Sequence, residues 1–358
     1  MKNFINKAVN KRTLAFVLTC VFMLGTLVFN TGFILVFENL ETARTERTIA
    51  RLEDSILVEI AVETDGLDSV REIRNLDVFA DELGKTFPRM NQYQIGRAVL
   101  RAIGDTEEQI NNTPIEIVLY ATNFVAVETT KSFFMISDCG FETQISENNF
   151  LLGSSYKNSD DFNTTTSNII PLSNQVMFTL RKDIVRARPS ATHQNRFQIR
   201  AEATWDTLPP FLSRNVDILA IAHTSTANIC NVFHAQAQAW YEAPGIRSYF
   251  DFVTRDNRRG TFITLEPALS GMAVRVPIVY RTANLRPRST IALWHGITIQ
   301  NGLETTVLVS YGHRHLIGPS NTNISISAAG PTVSFSPVNS VTQNWTTNPR
   351  AVRWNSLQ

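Results

Sequence analysis

Six histidines are the first place to look for chemistry, and two of them, His313 and His315 in YGHRHL, stand at strand spacing. In an extended chain residues two apart share a face, so the pair could supply two metal ligands. A metal centre needs a third or fourth ligand, and Glu304 is the one Asp, Glu or Cys within ten residues. The residues therefore favour two surface imidazoles at a strand end, and no metal site is expected. His223, His234 and His295 are isolated on apolar stretches and suit local hydrogen bonds better than ligation. The patterns G-x-S-x-G, H-E-x-x-H, G-x-x-x-x-G-K-S/T and G-x-G-x-x-G do not occur. Nine carboxylates lie beyond residue 171: Asp183, Glu202, Asp206, Asp217, Glu242, Asp251, Asp256, Glu266 and Glu304. Two of them facing one another would suit glycoside hydrolysis, yet no spacing singles out a pair. No catalytic residue and no cofactor are expected.

Charge is the stronger signal. Residues 38–110 carry 16 acidic and 9 basic side chains, a net of −7, whereas residues 171–358 carry 18 basic and 9 acidic ones, a net of +9. Of those 18 cations, 17 are Arg, whose planar fork suits phosphate and carboxylate. The candidates for contact are Arg181, Lys182, Arg186 and Arg188, with Arg196 and Arg200 downstream, then Arg258 and Arg259 beside Arg255, and Arg286 and Arg288. They would neutralise nucleic-acid phosphates if the body encloses a genome. Otherwise they would meet an acidic protein surface or the −7 segment, and a merely solvated loop charge is the plain alternative. Of three cysteines, Cys139 and Cys230 could form a disulfide in an oxidising compartment; two free buried thiols fit equally well.

These residues must be positioned by elements whose patterns change along the chain. Residues 14–37 run 24 positions without a charge, enough to span about 30 Å of hydrocarbon as a helix. The lipid-facing set would be Leu14, Phe16, Val17, Leu18, Val21, Phe22, Leu24, Leu27, Val28, Phe29, Phe33, Ile34, Leu35 and Phe37. Lys2, Lys7, Lys11 and Arg12 precede the run, which places the N-terminus in the cytoplasm if the helix spans. A signal peptide and a buried core helix are the rivals. Residues 38–113 read as an acidic helical arm, with patterns through Ile49, Leu52, Ile56 and Ile60, through Leu76, Phe79, Leu83 and Phe87, and through YQIGRAVLRAIG with Gly104 as its C-cap. Residues 114–170 read as a strand pair, PIEIVLYATNFVAVET and KSFFMIS, followed by a polar linker.

Residues 171–318 hold eight strand candidates: 175–181, 196–205, 215–222, 230–240, 261–266, 272–281, 290–299 and 305–311. In FQIRAEATW, Phe197, Ile199, Ala201, Ala203 and Trp205 share one face, and Gln198, Arg200, Glu202 and Thr204 the other. Pro277 marks its strand as an edge or bulged one. A helical alternative exists for AQAQAW, residues 235–240. Residues 319–358 form a C-terminal extension with short strands in NISIS and TVSFS, and with Trp345 and Trp354 as anchors for a neighbour's pocket. The fold class expected is mainly β: a jelly-roll-like antiparallel sandwich preceded by a hydrophobic helix and a short helical segment.

The stretch PALSGMAVRVPIVYRTANLRP followed by ETTVLVSYGHRHLIGPS resembles the late strands of picorna-like capsid subunits. The plan of an N-terminal anchor ahead of a β-barrel resembles small envelope proteins of large invertebrate DNA viruses. Both resemblances imply a virion structural protein, located in the virion and at a host membrane. Its implied partners are copies of itself, other virion proteins, and a lipid bilayer through residues 14–37. The alternative is a membrane-anchored surface module of non-viral origin that binds a ligand on a β-sandwich.

Overall fold

The computed structural model describes residues 43–62, 67–136, 142–151, 176–190, 195–205, 216–223, 229–242, 249–260, 263–268, 270–277, 288–300, 303–315 and short strands between 323 and 353. The chain divides into two units, Met1–Ile56 and Leu57–Gln358. In the first, residues 43–56 form a helix, α1. The apolar run 14–37 lies outside the described residues; among those described, no helix is long and apolar enough to cross a membrane.

The second unit is mainly antiparallel β-structure with a helical layer. Nine strands form the larger sheet. In order across it they are β1 (Val58–Val62), β2 (Ser69–Arg74), β3 (Phe124–Ile136), β5 (Val176–Ala187), β6 (Arg196–Trp205), β12 (Arg288–Ile299), β8 (Ile229–Glu242) and β9 (Tyr249–Thr254), with β4 (Glu142–Ile145) paired to β3. The smaller sheet runs β10 (Thr264–Ala268), β11 (Gly271–Pro277), β7 (Val216–His223), β13 (Glu304–His315) and β16 (Val341–Thr346), with β17 (Arg350–Arg353) also on β13. The short strands β14 (Asn323–Ile326) and β15 (Val333–Ser336) pair with each other. All eight expected strands of the body are present, and β9 is a ninth that the pattern missed. The order departs from two four-stranded jelly-roll sheets: β1, β2, β3, β5 and β6 meander in near-sequence order, and β12 crosses over to lie between β6 and β8.

The two sheets enclose one apolar core, built from Phe178, Leu180, Phe197, Ile199, Leu293 and Ile297 of the larger sheet and Leu219, Ile221, Val274 and Val309 of the smaller. Two polar ties cross it. Trp205 Nε1 donates to Tyr311 Oη at 2.6 Å, and Tyr311 Oη donates to the buried Asp217. Farther along, His223 of β7 and His295 of β12 stack at 5.5 Å with ring planes 9° apart. Pro277 is tolerated in the central strand β11 because it is that strand's last residue, where the pairing with β10 has already ended.

The other face of the larger sheet carries the helices α2 (Leu76–Thr86), α3 (Gln92–Ala102), α4 (Glu107–Asn112) and α5 (Ile115–Tyr120). Leu76, Phe79, Leu83, Val99, Ile110 and Ile117 bury their apolar stripe. Alternation in β6 would leave its polar residues in water, yet every residue from Phe197 to Trp205 is buried, because the helices cover the second face. Two local expectations are corrected. Strands β1 and β2 stand inside the segment expected to be helical. Residues 115–120, expected as strand, form α5: Pro114 supplies a fixed N-cap, Glu116 favours the first turn, and Ile117, Val118 and Tyr120 bury one stripe. AQAQAW is strand within β8, in line with the strand expected over 230–240, and its helical alternative falls.

Candidate functional site

Asp105 is placed by two helix ends that meet in a single turn. Gly104, with φ +88°, adopts the left-handed conformation that ends α3; its N–H bonds to the Arg101 carbonyl, and the Asp105 N–H to the Leu100 carbonyl, the double closure of a Schellman turn. Immediately after, Thr106 caps α4 and exchanges bonds with Gln109 in a capping box. The residue between these two caps is aimed at the sheet. Its Oδ1 accepts from Arg181 Nη1 and its Oδ2 from Arg200 Nη1, both at 2.6 Å. Arg181 Nε donates to Asp183 Oδ1 at 2.9 Å, Arg200 bonds to Glu202, and Gln109 Nε2 donates to Glu202. Burial alone would raise the Asp105 carboxyl, but Arg200 and then Arg181 outweigh it and hold it below the usual carboxylate range. Two guanidinium groups and three carboxylates thus lock the acidic helical segment onto the basic sheet. Trp240 Nε1 donating to Glu108 at 2.8 Å, and Arg188 paired with Asp81 at 2.7 Å, extend the same seam.

A third arginine on this face is in different company. On β8, His234 and Ala235 together oppose the single residue His295 of β12, a β-bulge in which His234 takes φ +46°. Ala235 turns to the core, while His234 stays beside Phe233, their rings 5.2 Å apart. Phe233 occupies the space a side chain at Gly296 would fill: a Cβ there would sit 2.5 Å from the ring. Tyr120, from the end of α5, meets both, at 4.5 Å from His234 and 5.7 Å from Phe233, and Phe124 lies edge-on at 5.9 Å. Arg196 lies against this group, its Cζ 4.7 Å from the Phe233 centroid and 5.1 Å from the Tyr120 centroid. Tyr120 Oη, Arg196 Nε and His234 Nδ1 are buried and have no hydrogen-bond partner. Burial pushes the Tyr120 hydroxyl up to about 12, against the pull of Arg196. Burial, then Arg196, lowers His234, with Glu116 opposing.

The structure separates the candidate cations. Arg181 and Lys182 are buried, Arg181 in the Asp105 lock and Lys182 on the core face of β5. Arg188 is engaged with Asp77 and Asp81, and Arg186 is half-buried. Arg258 and Arg259 are exposed in the turn after β9. Arg286, Cys139 and the side chains of Arg288, Cys230 and His313 lie outside the described residues, as do the membrane candidates from Leu14 to Phe37. Among the described residues no group of three or more His, Cys, Asp or Glu could hold a metal ion. Asp105 and Tyr120 were missed as site residues. The signal for Asp105 was the glycine cap followed at once by T-x-x-Q; that for Tyr120 was Pro114 opening a helix. His295 also departs from expectation, since neither ring nitrogen finds a hydrogen-bond partner.

No protein-family model and no curated protein matches the chain. Solved structures do. The NetB toxin of Clostridium perfringens, in its membrane-inserted form, matches at 8% identity over 50% of this chain and 91% of its own, with a TM-score of 0.23. A pore-forming protein matches at 8% identity over 64% and 94%, with a TM-score of 0.25. AvmM, which catalyses macrocyclization in alchivemycin A biosynthesis, matches at 10% identity over 42% and 78%, with a TM-score of 0.18. The expectation of a viral coat or envelope protein, located in the virion, is corrected here: the proteins matched are a membrane-inserted toxin, a pore-forming protein and a protein that catalyses macrocyclization.

Proposed function

We propose that this chain is a non-catalytic, ligand-binding β-sandwich protein of non-viral origin, held at a membrane by its N-terminal apolar segment. The observation that carries the ligand-binding half is the cluster at Arg196. Three buried polar atoms from β6, β8 and the end of α5 lack partners there, although buried polar groups are almost always hydrogen-bonded. An unmet polar group in apolar surroundings costs about 1–3 kcal/mol, so three together mark a place where an occupant returns free energy. The bulge at His234 and the absent side chain at Gly296 leave room for Phe233 and His234 beside Tyr120, and bulges are over-represented next to functional sites. The membrane half rests on the uncharged run from residue 14 to 37 behind a basic head.

Each half has its own test. Full-length chain should float with phosphatidylcholine vesicles, and chain starting at residue 38 should stay in the dense fraction; equal flotation would remove the anchor. For the site, NMR signals of the His234 and Tyr120 rings would be followed across fragments comprising sugars, amides, amines and oxyanions. A fragment that moves both rings saturably is the expected result, and a collection that moves neither would overturn the binding role.

A further inference from the structure

We propose that the occupant of the Arg196 cluster is a small oxyanion, a phosphate or a carboxylate group; this rests on the ligand-binding reading above and adds the chemical class. The helix-covered face of the larger sheet carries three arginines within two neighbouring strands, and two of them are neutralised. Arg181 and Arg200 share Asp105, Asp183 and Glu202. Arg196, four residues before Arg200 on the same strand, has no carboxylate within ion-pair distance among the described residues. Its guanidinium rests against the π faces of Phe233 and Tyr120, which hold a cation in place without cancelling its charge.

The atoms left over specify the partner. Arg196 Nε is a donor and nothing else, so whatever satisfies it must accept. Tyr120 Oη can donate toward the same acceptor, and Tyr120 itself is only 8% exposed. His234 Nδ1 offers a third contact and becomes a further donor once the ring is protonated. Two or three donors around one cation, on half-apolar walls, is the arrangement that binds a compact group bearing several oxygen acceptors and a negative charge. A neutral sugar or amide would meet one or two of the polar atoms and leave the charge uncompensated. The oxyanion can come from solution or from a phospholipid headgroup, since both present the same oxygens.

The test uses full-length chain in a neutral detergent, with His234 and Tyr120 ring signals as the readout. The probes are inorganic phosphate, acetate, a neutral sugar and short-chain phosphatidic acid. Phosphate or acetate should shift both rings saturably and raise the pH at which His234 titrates. Arg196→Gln should weaken that binding at least tenfold, Arg196→Lys by less, and Tyr120→Phe several-fold. Tighter binding of phosphatidic acid than of phosphate would assign the site to lipid headgroups, and equal binding would assign it to soluble oxyanions. If Arg196→Gln fails to fold, judged by circular dichroism, Tyr120→Phe carries the comparison. Saturable binding of the sugar with none by the oxyanions would overturn the class and leave the binding role standing. Silence from every probe would overturn both, and unchanged phosphate affinity in folded Arg196→Gln would overturn the site.

Discussion

Mild acid should loosen the sandwich chiefly through one side chain. His295 is fully enclosed between the two sheets, stacked on His223, and neither of its ring nitrogens has a hydrogen-bond partner. Burial first, then His223 and Arg255, lowers its proton affinity to a pKa of about 3. By register its nearest neighbour across the larger sheet is the apolar Ile199, and Val307 pairs with His223 in the smaller one. The charges acting on it, those of His223 and then Arg255, both have the sign of its own proton. An unfolded histidine titrates near 6.5. Between that value and about 3 the unfolded chain holds the proton and the folded chain does not, so stability is full above 6.5 and falls as pH falls. At pH 5 the loss is about 2 kcal/mol, from 1.36 kcal/mol for each unit below the unfolded value. In a unit running from Leu57 to Gln358 that is a drop of roughly 3 °C in melting temperature. Asp105, held below the usual carboxylate range, loses its contribution only at lower pH, whereas His234, also lowered by burial and Arg196, adds to the drop in the same window. Thermal unfolding of full-length chain would be followed by circular dichroism at pH 7, 6 and 5, with His295→Phe alongside. The phenyl ring keeps the stack and cannot titrate, so most of the acid-induced drop should vanish. An equally steep drop in His295→Phe, or a flat profile in the unmodified chain, would refute the reasoning.

Two further perturbations probe how the layers are joined. Asp105→Asn leaves two buried guanidinium groups short of a carboxylate and should destabilise the chain by about 3–5 kcal/mol; urea unfolding measures it, and a change below about 1 kcal/mol would show the lock to be unimportant. Tyr311→Phe removes the hydroxyl that links Trp205 to Asp217 and should cost about 1–3 kcal/mol with the fold intact; an unchanged urea midpoint would contradict it.

Most of the β body was legible because strands write their period directly into the chain. FQIRAEATW and MAVRV, residues 272–276, each place an apolar face on the core, and both became strands flanked on two sides. What the period could not convey is that the polar face of FQIRAEATW is buried as well, because that depends on helices nearly a hundred residues away. The same non-local cover explains the cluster of Asp105, Arg181 and Arg200: the charge asymmetry was visible, but which acid meets which base is decided by a cap-to-cap turn seating Asp105. The segment PIEIVLY is rich in β-branched residues and reads as strand; Pro114 and packing on the sheet override that propensity. β9 was missed because YFDFVT is six residues long and Asp251 interrupts its alternation, a carboxylate that instead accepts the Ile263 N–H at 3.0 Å. His234 looked isolated in sequence because the bulge that turns it toward Phe233 and Tyr120 arises from its pairing with a strand some sixty residues later.

The opposed net charges of the two halves thus meet in part within the molecule. Asp77, Asp81 and Asp105 of the acidic segment meet Arg188, Arg181 and Arg200 of the basic one across the helix–sheet seam. A buried ion pair contributes little net stability, because removing both charges from water consumes most of their attraction. Its stronger effect is on specificity: helices that slid along the sheet would strand charges, so the lock fixes the register of the helical layer. That register decides where α5 ends, and hence where Tyr120 meets Arg196. The neutralised arginines position the one that is not neutralised. A variant that weakens the lock should therefore disturb oxyanion binding at the cluster without touching any of its residues, whereas the exposed Arg258 and Arg259, on a turn outside this seam, should leave it unchanged.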